Sequence, residues 1–349
     1  MGGKLFKTKY GTETIRLQKE DYFNLYETIK VKLFNLFKQV ELIDAYHTKL
    51  DYGDIDVLVS SPRDTYTKLF DQIKNEFNLL DNQISQNSNI YSILINNFQC
   101  DFILTKEKYL QSSLNYYYYS PAGNLCGKLT HRWGLHYGFD GLSYILRDNE
   151  NTYKLGKIEI TQNHEKICEF LGLDYQKYFE GFETEKEIFD WIINAKCFDA
   201  RIFSYENMNH IARIRDRKRP DYARFMKYIE RFKDKIYDWP LKSENIKYIN
   251  DFFPESNLIN KIQELKNKET KRKEGVAKWN GDLVRDWCPG LEGKELGKVL
   301  SEFKFHRGAC SDARTFEDYL QMYPAEKIKS DFFAWVKESK VYSMSEINS

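Results

Sequence analysis

Apolar residues recur at helical spacing across 18–37, where Tyr22, Leu25, Tyr26, Ile29, Leu33 and Leu36 repeat every three or four positions between charged neighbours. That period gathers them on one stripe and predicts an amphipathic helix. The pattern then changes. Residues 40–46 make a short candidate strand, His47-Thr48-Lys49-Leu50-Asp51 a polar turn, and Gly53-Asp54-Ile55-Asp56-Val57-Leu58-Val59 a strand closed by Ser60-Ser61-Pro62. Alternation puts Asp54 and Asp56 on one face of that strand and Ile55, Val57 and Val59 on the other. Asp64 is placed to N-cap a helix running through Leu69, Phe70, Ile73 and Phe77. Two further apolar runs, 90–95 and 98–104, flank Asn96-Asn97 and predict a hairpin. On its second strand Phe98, Cys100, Phe102 and Leu104 share one face, and Gln99, Asp101 and Ile103 the other.

Beyond residue 105 the spacing is mostly helical. The pattern predicts a helix over 106–119 ending in a run of four tyrosines, then a turn at Pro121-Ala122-Gly123-Asn124. A helix is expected through much of 125–148, with Gly138 and Gly141 suited to a cap or tight turn. Further helices are expected at 162–172 with Gly172 as the stop, at 185–195, at 258–274, and as several short pieces within 281–338.

Composition narrows the class. With 349 residues the chain is long for one core. Its 42% apolar and 30% charged content is that of a globular protein. A net charge of +1 means that any nucleic-acid surface must be a local patch. Six cysteines without a C-x-x-C pair and six histidines without ligand spacing argue against a zinc centre or a disulfide framework. No apolar run approaches the roughly 18–20 residues of a membrane span. The first residues show neither a signal-peptide core nor a myristoylation pattern. A cytoplasmic protein with no membrane partner is expected.

The carboxylates carry the chemistry. Asp54 and Asp56 stand roughly 7 Å apart along one strand face, close enough to need a partner for their charge. An Asp-x-Asp alone is a chance-level pattern whose plain alternative is two solvated acids. Asp101, an acid inside an otherwise apolar strand, adds a third carboxylate. Three acids on two strands are the donor set for oxygen-loving divalent ions and for two-metal phosphoryl transfer.

The frame of helix, short strand, turn, Gly-Asp-x-Asp strand, helix and later Asp-bearing strand resembles the DNA polymerase β-type nucleotidyltransferase superfamily. Asp54 and Asp56 match its paired metal-binding acids, and Asp101, roughly fifty residues on, matches its third. The resemblance implies an α+β fold, with a mixed-sheet head followed by a mostly helical body and tail. It also implies two Mg²⁺ ions, Mn²⁺ being able to substitute, and a nucleoside triphosphate substrate. The chain departs from the family where a Gly-Ser or Gly-Gly grips the triphosphate: Tyr46, His47, Thr48 and Lys49 stand there, with Gly53 before the first acid. Lys49 is the best placed for a phosphate contact. Arg132, in the segment where the superfamily often places nucleotide contacts, is a further candidate.

A second resemblance lies in Lys278-Trp279-Asn280-Gly281-Asp282-Leu283-Val284 and in the Gly-rich turn and Leu-Gly helix from Cys288 to Leu300. These are similar to a C-terminal segment of tRNA nucleotidyltransferases and bacterial-type poly(A) polymerases. The layout as a whole is closest to nucleotidyltransferase-like proteins of phages and bacteria. The chain is expected to divide into a catalytic domain (1–150), a helical middle domain (151–255) and a helical C-terminal domain (256–349) able to bind RNA. Arg215, Arg217, Lys218, Arg219 and Arg224, then Lys271, Arg272 and Lys273, are the candidate nucleic-acid contacts, with ion pairing to Asp216 and Asp221 as their structural alternative. The leading expectation is template-independent transfer of a nucleotide to an RNA 3′ hydroxyl, tRNA being one candidate. The alternatives are transfer to a protein or small molecule, and a catalytically inactive nucleic-acid-binding protein of the same fold.

Overall fold

A computed structural model describes residues 3–62, 68–310 and 314–339; Asp64, expected as an N-cap, lies outside them. The chain begins with α1 (Leu5–Tyr10), β1 (Leu17–Gln18) and α2 (Lys19–Leu36), followed directly by β2 (Phe37–Leu42). Next come β3 (Asp51–Tyr52), β4 (Asp54–Pro62), α3 (Leu69–Glu76), β5 (Ile84–Asn87), β6 (Ile90–Ile95) and β7 (Phe98–Thr105). The β6–β7 hairpin turns through Asn96 and Asn97, both at positive φ (49° and 60°), a conformation that asparagine tolerates.

Strands β2, β4, β7, β6 and β5 form one mixed sheet in that order, β4 and β7 running parallel and the other neighbours antiparallel. The fold is therefore α+β, as expected. One face of the sheet carries Ile55, Val57, Val59, Cys100 and Phe102 into a core with Ile29 and Leu33 of α2 and Ile73 of α3. On the other face, Leu58 and Ile103 pack with Leu114 and Tyr117 of α4 (Leu110–Tyr117). The rest of that face holds the acids.

After a turn, α5 (Ala122–Arg132) starts one residue past Pro121, so Gly123 and Asn124 are helical and not part of the turn. A Cβ on Gly123 would sit 2.0 Å from the Tyr116 carbonyl oxygen, which explains the glycine there. The helix expected through much of 125–148 stops at Arg132. The chain turns instead into β8 (Leu135–Gly138), β9 (Gly141–Arg147) and β10 (Lys154–Thr161), a three-stranded sheet ordered β10-β9-β8. Gly138 and Gly141 pair across its first hairpin, and Gly141 takes φ +90°. The strand expected at 40–46 begins earlier, at Phe37, and ends at Leu42.

The helices α6 (His164–Leu171), α7 (Tyr175–Glu180), α8 (Glu185–Ile193), α9 (His210–Arg217), α10 (Pro220–Ile229) and α11 (Lys242–Phe252) follow. Side chains of Asn163, Asp174, Thr184 and Asn209 cap the first, second, third and fourth of these, and Gly172 ends α6 in the left-handed region. The chain closes with α12 (Leu258–Lys278), α13 (Gly281–Trp287), α14 (Gly293–Cys310), α15 (Phe316–Met322) and α16 (Ala325–Ser339).

Two compact units result. The first is Met1–Arg147 with Lys157–Ile259, so most of the segment expected as a separate middle domain belongs with the head. The second is Asp148–Gly156 with Asn260–Ser349. Its core is aromatic, built on Trp279, Phe303, Phe316, Phe332 and Trp335. Among the described residues no helix is long and apolar enough to cross a membrane.

Candidate metal centre

The parallel register of β4 and β7 sets Asp54 beside Gln99 and Asp56 beside Asp101. Residues in register on adjacent strands share a face, so all four side chains emerge together. Asp54, Asp56 and Asp101 each offer a carboxylate oxygen, and the three oxygens lie within 4.8 Å of one another. All three residues are half-buried.

A surrounding set of donors fixes these acids. Ser92 stands opposite Asp101 on β6, and its hydroxyl favours the ionised carboxylate. The Gln99 amide donates to both Asp101 oxygens, at 3.1 and 2.9 Å. Gln99 Oε1 accepts in turn from the Leu5 N–H at 3.0 Å, which sets the amide's orientation. The Gly3 N–H donates to Asp54 Oδ2 at 3.0 Å. Gly3 sits at φ +76°, and a Cβ there would lie 2.1 Å from the Gly53 carbonyl oxygen. The N-terminal segment is thus pressed backbone to backbone against the turn that enters β4. Nothing local in the sequence marks Gly3, Leu5 or Ser92 for this role; Gln99 alone shared a predicted face with an acid.

The electrostatics are those of crowded anions. Two unit charges 4.8 Å apart repel by about 3 kcal/mol at an effective dielectric constant near 20. Burial raises the Asp54 carboxyl above its ordinary range, against the opposing pull of Lys49 and the Gly3 N–H. Asp56 is raised well above that range, by burial first and then by the charges of Asp54 and Asp101. Asp101 is pushed up to about 6 by burial, with Asp54 adding and the bonds from Ser92 and Gln99 opposing. The cation nearest in effect is Lys49: burial lowers its pKa while Asp54 and Asp56 pull it back up. Its ammonium lies 4.5 Å from the centroid of the Tyr52 ring, which stacks on Tyr22.

The other residues expected at the triphosphate are differently engaged. The His47 and Thr48 N–H groups donate to the carbonyls of Phe182 and Glu183, at 2.8 and 3.0 Å. The Thr48 hydroxyl also donates to Glu183 O, and His47 Nδ1 lies 3.0 Å from the Glu183 carboxylate. The Lys49 N–H closes back on Tyr46 O, and the half-buried Tyr46 feels Glu185 and Arg224. Of this group, Lys49 is the residue whose charge acts on Asp54 and Asp56. Arg132 is exposed at the end of α5, with its guanidinium 5.8 Å from the centroid of the Trp239 ring.

The basic stretch divides in two. Arg215 pairs with the buried Asp216, Arg219 with Asp221, and Arg224 grips Glu185 through two nitrogens. Arg217 and Lys218 are exposed and make no ion pair among the described residues. On α12, Arg272 pairs with Glu269 and Lys273 lies 4.0 Å from it, whereas Lys271 is exposed and unpaired among the described residues.

The donor set, oxygen only and partly open, fits a hard divalent cation better than zinc or a soft metal. No family model matches the chain, and no curated protein matches it either.

Proposed function

We propose that this protein is a divalent-metal-dependent, template-independent nucleotidyltransferase that moves a nucleoside monophosphate from a triphosphate to an RNA 3′ hydroxyl, releasing pyrophosphate. The observation that carries the reading is the convergence of Asp54, Asp56 and Asp101 from two parallel strands onto one half-buried sheet face. A structural role for three adjoining carboxylates is disfavoured by their mutual repulsion, which leaves the Asp56 carboxyl raised well above its ordinary range, by burial first and then by Asp54 and Asp101, despite the charge of Lys49.

In this reading the three aspartates hold the Mg²⁺ ions, which when bound polarise the α-phosphate and favour ionisation of the acceptor hydroxyl. Ser92 and Gln99 keep the Asp101 carboxylate in place, and Gly3 does the same for Asp54. Lys49 offers a compact positive charge to the triphosphate. The hydroxyl oxygen bonds to the α-phosphorus as the bond to the β-phosphate breaks. Arg217, Lys218 and Lys271, exposed and in no ion pair among the described residues, support a polyanionic acceptor over a small molecule.

The test is incubation of the full chain with each labelled nucleoside triphosphate and Mg²⁺, offering tRNA, generic RNA, DNA and protein acceptors in parallel. Label is expected in RNA. Label in protein alone would overturn the acceptor, and label in no acceptor would overturn the enzymatic reading.

A further inference from the structure

The first unit contains a cavity of about 700 Å³ walled by α5, β8, α9 and the segment between α8 and α9. None of Asp54, Asp56, Asp101 or Lys49 lines it. Its size falls in the range of small-molecule sites. Lys128, Arg132, Arg201 and Arg215 bring four positive charges to the wall, against one lining carboxylate, Asp199.

The acids of this region already have partners. Asp199 is held bidentately by Arg201 and by Trp239 Nε1 at 3.0 Å. Asp216, fully buried behind the wall, takes both Lys128 and Arg215. Counting both acids, the region keeps an excess of two positive charges, and Arg132 pairs with no carboxylate among the described residues. The His136 side chain adds no charge near neutrality, because burial and Lys157 lower its pKa. An excess of two matches the charge of a phosphomonoester, about −1.5 to −2 at pH 7.

Two further observations point to an organic body joined to that phosphate. The Asn124 Nδ2, on the cavity-facing side of α5, is buried and has no acceptor among the described residues. A buried amide left without a partner is destabilising, and a ligand carbonyl or ring nitrogen would relieve it. Tyr116, Tyr137, Ile202 and Met208 supply aromatic and apolar wall, and a phosphate alone would fill a small part of the volume.

We infer that this cavity is a second ligand site, separate from the acid centre, that binds a phosphomonoester with a ring-bearing body of nucleotide size. The phosphate lies toward Arg132, Lys128 and Arg215, and Asn124 donates to the body. Such a ligand has two sources, a free nucleoside monophosphate or the 5′-phosphorylated end of a strand.

The experiment is calorimetric titration of the full chain with AMP in EDTA, where the acid centre is without metal. Saturable binding is expected, at least tenfold tighter than for adenosine. It should weaken at least tenfold in Arg132→Glu, an exposed position whose substitution leaves the core untouched, and in Asn124→Asp. Asp56→Asn should leave it unchanged, so that failure here and failure of the transferase reading are told apart. Displacement of AMP by a 5′-phosphorylated RNA, but not by its dephosphorylated form, would identify the strand end. No displacement would identify the free nucleotide. Absence of saturable AMP binding, equal affinity for adenosine, or full affinity in Arg132→Glu with an unchanged melting temperature would overturn the inference.

Discussion

Asp101 sits where protonation and folding are coupled. Its folded pKa, pushed up to about 6 by burial, exceeds the ordinary carboxylate value of 3.8. Between those two pH values the folded protein keeps a proton that the unfolded chain has lost. The contribution of this group is therefore fully present below about pH 4 and is lost as pH rises through 6. In EDTA, Asp101→Asn should gain on the wild type in denaturant stability as pH climbs from 4 to 7, and Mg²⁺ should narrow that gap. A gap that stays constant with pH would mean that the carboxylate is not in this environment. Asp56→Asn removes the acid most strongly raised by its neighbours. It should leave the protein folded and lower transfer by on the order of a thousandfold, the scale of losing one electrostatic contact in a transition state, as read by label incorporation at saturating triphosphate.

At the scale of elements, the acid face depends on two strands and on a segment far from both in sequence. Alternation along 54–59 and 98–104 was enough to place the three acids together, because a period of two leaves no freedom once the strands pair in register. The order helix, strand, acid strand, helix, hairpin was legible for the same reason. What local pattern could not reveal is closure by distant groups. Gly3 reaches Asp54 across 51 positions, and His47 and Thr48 bond to Phe182 and Glu183 across some 135. Tyr46, His47, Thr48 and Lys49 read as the available phosphate donors, and the structure commits His47 and Thr48 to those carbonyls. A helix is expected through much of 125–148 from the sequence, yet Gly134 at φ +81° and Gly141 at φ +90° turn the chain into a hairpin. Gly3→Ala tests the N-terminal brace. Its Cβ would collide with Gly53 O, and its backbone would be strained, so it should lower stability by about 1–2 kcal/mol and weaken Mg²⁺ affinity, both measurable by melting with and without the ion.

At the scale of the whole molecule, charge is nearly balanced, so binding of a polyanion must rest on a local patch of cations and not on a global excess. Affinity for single-stranded RNA should fall steeply with salt. Reversing both Arg217 and Lys218 to glutamate should flatten the slope of log affinity against log salt by roughly 1.4 if both meet phosphates. Arg224→Ala, which breaks a pair with Glu185, should leave that slope where it was. A salt-insensitive interaction would favour a protein acceptor.

The chain also passes between its two units more often than a simple tandem would require. The tip between β9 and β10, with the first residues of β10 (Asp148–Gly156), belongs to the second unit, where Tyr153 meets Glu269 and Arg272 and Gly156 packs on Leu265. During synthesis this tip leaves the ribosome about a hundred residues ahead of the helix that receives it, at a rate of some 5–20 residues per second. For those seconds the hairpin exists with its tip unmatched. A nascent chain stalled at residue 259 should be cut by protease within 148–156, and one released at full length should resist. The order of synthesis and the order of folding therefore diverge at this one loop.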